Sequence, residues 1–255
     1  MTPFRAQRIW ERNYLVYKRL WSIIVSGLFE PIFYLFSIGV GLGALVGDLE
    51  GPGGVTVPYT VFVAPGLMAA AAMNGTVTET TFNIFFKLRF SNTYEGILTT
   101  PMTPRDIAIG EIGWALLRGA LYATVFVIVM AFMGLTQSWW AIAAIPGAIL
   151  IGFAFGAVGL AATTYMKSWQ DFDLVQLVTL PMFLFSATFY PIEVYPPAIQ
   201  FLTWFSPLFH GVRLCRGLTL GVFDWTMLIN VAFLVIMGAI GSVITARRVD
   251  TLLLK

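Results

Sequence analysis

The chain has 255 residues, of which 58% are apolar and 11% are charged, and its mean hydropathy is +0.82. About a quarter of the residues in an ordinary soluble domain are charged, so this composition excludes a soluble protein and predicts an integral membrane protein with one membrane domain. The net charge of +2 is small and does not indicate a nucleic-acid partner, and the single cysteine excludes an intramolecular disulfide.

Residues 1–19 are predicted to form an amphipathic helix that lies along the membrane surface. At about 100° per residue, arginines gather on one side of this helix and aromatic residues gather on nearly the opposite side. The two groups are Arg5, Arg8, Arg12 and Arg19, and Trp10, Tyr14, Tyr17 and Trp21. The aromatic side chains would lie at headgroup depth, while the arginines would face anionic lipid or, alternatively, a protein partner.

Six later segments are apolar and long enough for membrane-spanning helices, which need about 20 residues because no water in the hydrocarbon core can satisfy backbone groups. They are residues 20–46, 59–78, 107–135, 140–165, 174–190 and 225–246. The fifth is short and contains Pro181, which predicts a kink. Small residues at four-residue spacing, such as Gly152 and Gly156, predict close helix packing.

The distribution of lysine and arginine predicts the orientation of these spans. The basic residues are concentrated before the first span, in the second and fourth connections and in the tail, whereas the odd-numbered connections carry few. Because cytoplasmic loops are enriched in lysine and arginine, both termini are predicted to be cytoplasmic. Arg213 and Arg216, in the fifth connection, run against this trend.

The longest polar interruption, residues 79–106, is predicted to be a cytoplasmic loop that contains a short helix. Asn92 can cap this helix together with Glu95, and Pro101 ends it. A second helix start follows at Thr103, Pro104 and Asp106. An ordered cytoplasmic helix suggests a docking surface for a soluble partner, and a simple connector is the alternative.

Three charges are predicted to lie inside spans, where charges are costly and need partners. Glu111 and Arg118 are seven residues apart on nearly the same face of the third span, and Arg118 lies about 16 Å along it. Glu30, in the first span, is the available acid for Arg118. A structural ion pair that fixes packing and a path for protons or substrate are the two interpretations of these charges.

Residues 191–224 follow the fifth span and contain prolines that separate apolar pieces too short to cross. They are predicted to form an external re-entrant segment, which requires cover by protein or by a watery cavity. Four aromatic residues lead into it and could line a pathway that stacks on sugar rings or holds acyl chains; core packing and an interfacial belt are alternatives. They are Phe183, Phe185, Phe189 and Tyr190.

Enzyme chemistry finds little support in the sequence. His210 is the one histidine, which excludes a two-histidine metal site, and no metal is expected. Asp171 and Asp173 beside Lys167 are typical of capping charges at a helix start. No G-x-x-x-x-G-K-S/T loop occurs, so any ATP-driven step must come from a separate subunit that uses ATP and Mg²⁺.

Four runs of the sequence carry a family resemblance: APGLMAAAAMNGTVTETTF, YEGILTTPMTPRDIAIGE, FLFSATFYPIEVYP and SPLFHGVRLCRGLTLG. In this order and spacing, over essentially the whole chain, they resemble the type 2 ABC exporter permeases, especially the nodulation-factor exporter branch. That family also includes permeases for O-antigen and other lipid-linked polysaccharides and for anthracycline-like drugs. The resemblance is specific to the family and not to the cargo.

The resemblance implies a permease homodimer bound to two separate ATP-binding cassette ATPase subunits. It also implies an interfacial N-terminal helix and a coupling helix between the second and third spans, which would be residues 92–100 here. The ATPase-coupling residues would be Asn92, Thr93, Tyr94, Glu95, Gly96, Ile97 and Leu98. Prolines of the external region, together with His210 and Arg213, would be architectural.

The sequence therefore predicts an all-α integral membrane protein with six transmembrane helices in a bacterial cytoplasmic membrane. It would be the permease of an ATP-driven exporter for an amphiphilic substrate, with no catalytic residues and no cofactor of its own, and with lipids as neighbours. Two other classes stay open. An ATP-independent channel or secondary carrier could relay protons through the buried charges, and a polytopic membrane enzyme acting on lipids would need Asp171, Asp173 or His210.

Overall fold

The computed structural model describes residues 4–19, 22, 25, 29 and 32–253, and these are mostly helical. The helices are α1 (Phe4–Arg19), α2 (Ile32–Val46), α3 (Tyr59–Arg89), α4 (Thr93–Leu98), α5 (Pro104–Phe132), α6 (Trp139–Thr163), α7 (Asp171–Phe185), α8 (Pro197–Thr203), α9 (Pro207–Leu220) and α10 (Thr226–Leu253). Part of the predicted first span, including Glu30, lies outside the described residues, as does Trp21.

Among the described residues, four helices are long and apolar enough to cross a membrane by length and composition: α3, α5, α6 and α10. They correspond to the predicted second, third, fourth and sixth spans. The described part of the predicted first span, α2, is shorter, and α7 has 15 residues. Crossings by these two helices stay a prediction.

The helix of the second predicted span extends well beyond its predicted end. α3 continues past Thr78 to Arg89, through a π-helical turn at Glu79–Asn83. The prediction that residues 79–106 form a loop is therefore wrong for its first part. The hydroxyls of Thr80 and Thr81 donate to backbone carbonyls of the preceding turn at 2.8 and 2.7 Å, so these buried polar groups are satisfied within the helix itself.

α3 is the most buried helix of the bundle, and it packs against α5, α6 and α9. Its contact with α6 is close because α6 presents glycine: a methyl group at Gly156 would lie 2.7 Å from Cγ2 of Thr76. A hydrogen bond of 2.8 Å from the Thr163 hydroxyl to the carbonyl of Thr80 fixes the same contact. The predicted role of small residues in packing is thus observed within one subunit.

A small β-hairpin departs from the all-α prediction. β1 (Asp48–Glu50) pairs antiparallel with β2 (Thr56–Pro58), with Leu49 opposite Val57. The turn between them contains Gly53 and Gly54 at φ values of 72° and 74°, a region that residues with a side chain rarely adopt. The hairpin leads directly into α3.

Two short helices, α8 and α9, occupy most of the predicted re-entrant segment 191–224, and both are too short to cross a membrane. Arg216 of α9 is buried, and it donates to the carbonyls of Phe62, Ala187 and Thr188 at 3.0, 2.9 and 3.2 Å. Its guanidinium also stacks on the Phe62 ring. Arg216 therefore joins this segment to α3, which accounts for a cation that runs against the charge trend.

Candidate docking site and buried charge network

A short helix, α4, is present where the coupling helix is predicted, but the predicted side-chain cap at its start is not observed. Asn92 has a left-handed backbone with φ of 47°, and its side chain makes no capping hydrogen bond. A short turn joins α3 to α4 here, and asparagine tolerates this conformation better than most residues. Capping by Asn92 and Glu95 is therefore wrong.

The second predicted helix start is confirmed. The backbone N–H of Asp106 donates to the Thr103 hydroxyl at 3.3 Å, and the backbone N–H of Thr103 donates to the Asp106 carboxylate at 2.9 Å. Pro104 takes the first helical position of α5. This reciprocal cap fixes where the chain re-enters a long helix after α4.

α4 turns one face to the protein and the other to solvent. Tyr94 is buried, and Ile97 and Leu98 pack against an apolar cluster with Ile84 and Ile107. The exposed residues are Asn92, Glu95, Gly96, Thr99 and Thr100. Of the predicted coupling residues, Tyr94 is therefore buried inside the protein, whereas Asn92, Glu95 and Gly96 are exposed.

Glu111 is the centre of a buried polar cluster beneath α4. Its carboxylate accepts from Lys87 at 2.8 and 2.9 Å, from Asn13 at 3.1 Å and from Tyr94 at 3.1 Å. These donors belong to α3, α1 and α4, while Glu111 belongs to α5. One carboxylate thus joins four helices, and its charge is compensated by Lys87.

The Tyr94 hydroxyl acts as a donor in this cluster. Burial and the neighbouring charge of Glu111 hold the pKa of Tyr94 well above its usual range. The hydroxyl therefore stays protonated across the physiological pH range. Its hydrogen bond ties the coupling helix to α5.

Arg118 belongs to a second polar cluster, and its acidic partner among the described residues is Glu79. Arg118 pairs with the Glu79 carboxylate and donates to the hydroxyls of Tyr17 and Tyr122 at 2.9 and 2.8 Å. Asn83 donates to Glu79 at 2.5 Å. The predicted partner, Glu30, lies outside the described residues.

The sequence does not predict Glu79 as the partner of Arg118, because the apolar run ends at Thr78 and Glu79 then falls in the predicted loop. A sequence signal for the longer helix was present. Glu79, Asn83 and Lys87 recur every four residues, which puts them on one face of a continuing helix. That face is the one that meets Arg118 and Glu111.

α1 packs against other helices of the protein, so it is more than a surface helix that contacts lipid. Ile9, Asn13 and Tyr17 are buried, and the Trp10 indole donates to the carbonyl of Gly110 at 2.9 Å. The predicted aromatic side is thus partly used against α5, while Tyr14 is exposed. On the other side, Arg5 donates to the carbonyl of Pro101 at 2.8 Å, which links α1 to the connection between α4 and α5.

The four predicted pathway aromatics divide into two groups. The rings of Phe183 and Phe189 pack edge to face with centroids 5.1 Å apart. Phe185 and Tyr190 both pack against Tyr195, at 6.2 and 5.0 Å, and both are exposed. Their role as pathway residues stays a prediction.

The residues that an enzyme reading requires are held in structural contacts. His210 lies between Asn230 and the carbonyl of Trp204, at 2.8 and 2.9 Å, and stacks on Phe233. The Asp171 carboxylate accepts from the backbone N–H groups of residues 167 and 168, which lower its pKa. Within the described ranges, no group of three His, Cys, Asp or Glu side chains could hold a metal ion.

Comparison with known proteins points to a single family. The model of the ABC-2 type transporter family matches residues 5–220. Nodulation protein J of Rhizobium leguminosarum bv. viciae is 35% identical over 215 residues, which cover 84% of this chain and 81% of that protein. Nodulation protein J of Rhizobium meliloti (strain 1021) is 34% identical, with coverage of 84% and 80%.

A more distant relative is the "Probable multidrug ABC transporter permease YbhR" of Escherichia coli (strain K12). It is 27% identical over 168 residues, which cover 64% of this chain and 44% of that protein. The family match and the nodulation relatives confirm the resemblance seen in the sequence. The chain therefore belongs to the ABC-2 type transporter family and is a membrane permease of that family.

Proposed function

We propose that the chain is the permease subunit of an ATP-binding cassette exporter in a bacterial cytoplasmic membrane. It works as a homodimer with six crossings per copy and both termini in the cytoplasm, and a separate ATPase subunit that uses ATP and Mg²⁺ drives it. One observation carries this proposal: α4 has an exposed face and a buried back that is tied to α5 by Tyr94 and Glu111. A free connector would not need such an anchor.

Force on α4 would reach the membrane helices through the polar clusters. A displacement of α4 moves the Tyr94 hydroxyl, which bonds Glu111 of α5, and Glu111 in turn holds Lys87 of α3. Asn13 brings α1 into the same movement. Because these bonds are buried, their arrangement shifts as a unit and can convert a small movement of α4 into a rearrangement of packed helices.

The cargo would be an amphiphile, either a lipid-linked saccharide or a hydrophobic drug. The similarity to Nodulation protein J supports the nodulation-factor branch, and the name of the YbhR relative supports drugs. Exposed aromatic side chains such as Phe185 and Tyr190 are suited to sugar faces and to apolar chains.

Co-purification tests the docking role directly. The tagged permease, co-expressed with a candidate ATP-binding cassette subunit, should retain that subunit during purification. Gly96→Asp should abolish the association, because a side chain at Gly96 points into open space and the exposed charge alters the docking face without a clash. Arg247→Glu, at an exposed site on α10, is the matched charge control and should leave the association intact. Full retention by Gly96→Asp would contradict the proposal.

A further inference from the structure

Six aromatic rings pack together where α3 ends and the chain approaches α7. Neighbouring centroids in this group, the Phe85 cluster, lie 5.3 to 6.0 Å apart. Its members are Phe82, Phe85, Phe86, Phe90, Trp169 and Phe172. The cluster is separate from the docking face of α4, although Phe90 lies only a few residues before that helix.

The Phe85 cluster is exposed at its rim and closed at its centre. Phe85 is 1% exposed, whereas Phe82, Phe86, Phe90 and Trp169 are each between 43% and 52% exposed. Phenylalanine has no polar edge to turn toward water, unlike the Trp and Tyr residues that form an ordinary interfacial belt. Three half-exposed phenylalanine rings beside Trp169 therefore form a largely apolar patch that an apolar chain would cover favourably.

Cations border this patch. Arg89 donates to the carbonyl of Met166 at 3.1 Å, which places its guanidinium next to the chain segment that carries Lys167. Lys167 is exposed and makes no ion pair within the described residues. Of the two acids nearby, Asp171 is bound to the backbone N–H groups of residues 167 and 168, and Asp173 is exposed.

We propose that the Phe85 cluster, with Arg89 and Lys167, binds one anionic phospholipid of the surrounding bilayer. The lipid's acyl chain covers the exposed rings, and its phosphate lies between the guanidinium and the ammonium group. Charge complementarity selects this occupant, since a zwitterionic lipid would offer the same chain without the net negative charge. The 31 residues of α3 extend over about 46 Å, close to the thickness of a bilayer with its headgroups, which places the end of this helix near headgroup depth.

Quenching of Trp169 fluorescence tests this site in the full-length permease. The protein is reconstituted in nanodiscs with phosphatidylglycerol or phosphatidylcholine whose acyl chains carry bromine near the headgroup. The contribution of Trp169 is the difference between the native chain, which has 8 tryptophans, and Trp169→Phe. We expect this contribution to be quenched at least twofold more by brominated phosphatidylglycerol than by brominated phosphatidylcholine at the same mole fraction.

Two variants make the result decisive. Lys167→Gln combined with Arg89→Gln should remove the preference for phosphatidylglycerol, and the preference should also fall at high salt. Trp225→Phe is the matched control, because Trp225 is exposed at the start of α10, and its contribution should not distinguish the two lipids. Equal quenching of Trp169 by both lipids, or an unchanged preference in the double variant, would overturn the proposal. Neither result depends on the ATPase or the cargo, so the proposed transport function stands or fails separately.

Discussion

The Tyr94 hydroxyl lies 3.1 Å from the Glu111 carboxylate, and this hydrogen bond directly links α4, the proposed docking helix, to the long apolar helix α5. Tyr94→Phe removes the link and keeps the ring in its apolar site. We expect a loss of about 1–3 kcal/mol in the free energy of unfolding, because a hydrogen bond to a charged group is removed. Thermal unfolding in detergent would measure this loss.

The functional consequence of Tyr94→Phe should be larger than its effect on assembly. The exposed face of α4 is unchanged, so the ATPase subunit should still co-purify, while substrate-stimulated ATP hydrolysis should fall. Tyr14→Phe is the control, since Tyr14 is exposed on α1. Loss of association in Tyr94→Phe would show that the buried residue also shapes the docking face.

The Lys87–Glu111 pair should show strong coupling between its two members. Lys87→Met alone leaves a buried carboxylate without its cation, and we expect a cost of about 3–5 kcal/mol. Adding Glu111→Leu should restore part of that stability, because no unpaired charge remains. A double-mutant cycle measures the interaction, and additive costs would contradict the pairing.

Arg216 should be required to hold the segment between α7 and α9 against α3. Arg216→Ala leaves the carbonyls of Phe62, Ala187 and Thr188 without this donor, and an orphaned buried group costs about 1–3 kcal/mol. We expect faster cleavage by external protease between α7 and α9. Arg213→Ala is the comparison, because Arg213 makes one hydrogen bond of 3.2 Å, to Thr226, and stacks on Trp204 and Phe209 without bonding their carbonyls. Equal cleavage rates in Arg216→Ala and Arg213→Ala would contradict the proposal that Arg216 holds this segment in place.

A single methyl group added to the contact between α3 and α6 should lower the stability of the protein. Gly156→Ala places that methyl 2.7 Å from Cγ2 of Thr76, and overpacking of this kind costs about 1–3 kcal/mol. Thr76→Ser removes the opposing methyl and should rescue the variant. Gly96→Ala, which has open space, should show no loss, and the melting temperatures of the four proteins provide the comparison.

Features set by neighbouring residues were predicted well from the sequence. The start of α5 follows from Thr103, Pro104 and Asp106, which act within one turn. The position of α4 was predicted to within a few residues, although Asn92 adopts a turn conformation that its sequence neighbours do not determine. The family follows from motifs along the chain.

Features set by distant residues were predicted poorly. The partner of Arg118 is Glu79, and the four-residue recurrence of Glu79, Asn83 and Lys87 indicates a longer helix but does not show which helix this face meets. The burial of Asn13 and Tyr17 depends in the same way on α5, which packs against α1. Such pairs need the tertiary arrangement, because a helical wheel gives the face of one helix and not its neighbour.

The π-helical turn at Glu79–Asn83 sets the rotational phase of everything that follows it in α3. A π turn closes its hydrogen bond over five residues instead of four, so it accommodates one residue more than an α turn. Removal of a single residue between this turn and Lys87 would rotate Lys87 by about 100° about the helix axis, away from Glu111, whereas removal of one residue within the turn would return it to α geometry and keep that phase. The π turn is therefore the place where α3 can lose one residue at the least cost, and the α-helical stretch from residue 84 to Lys87 is the place where the length of the chain is constrained.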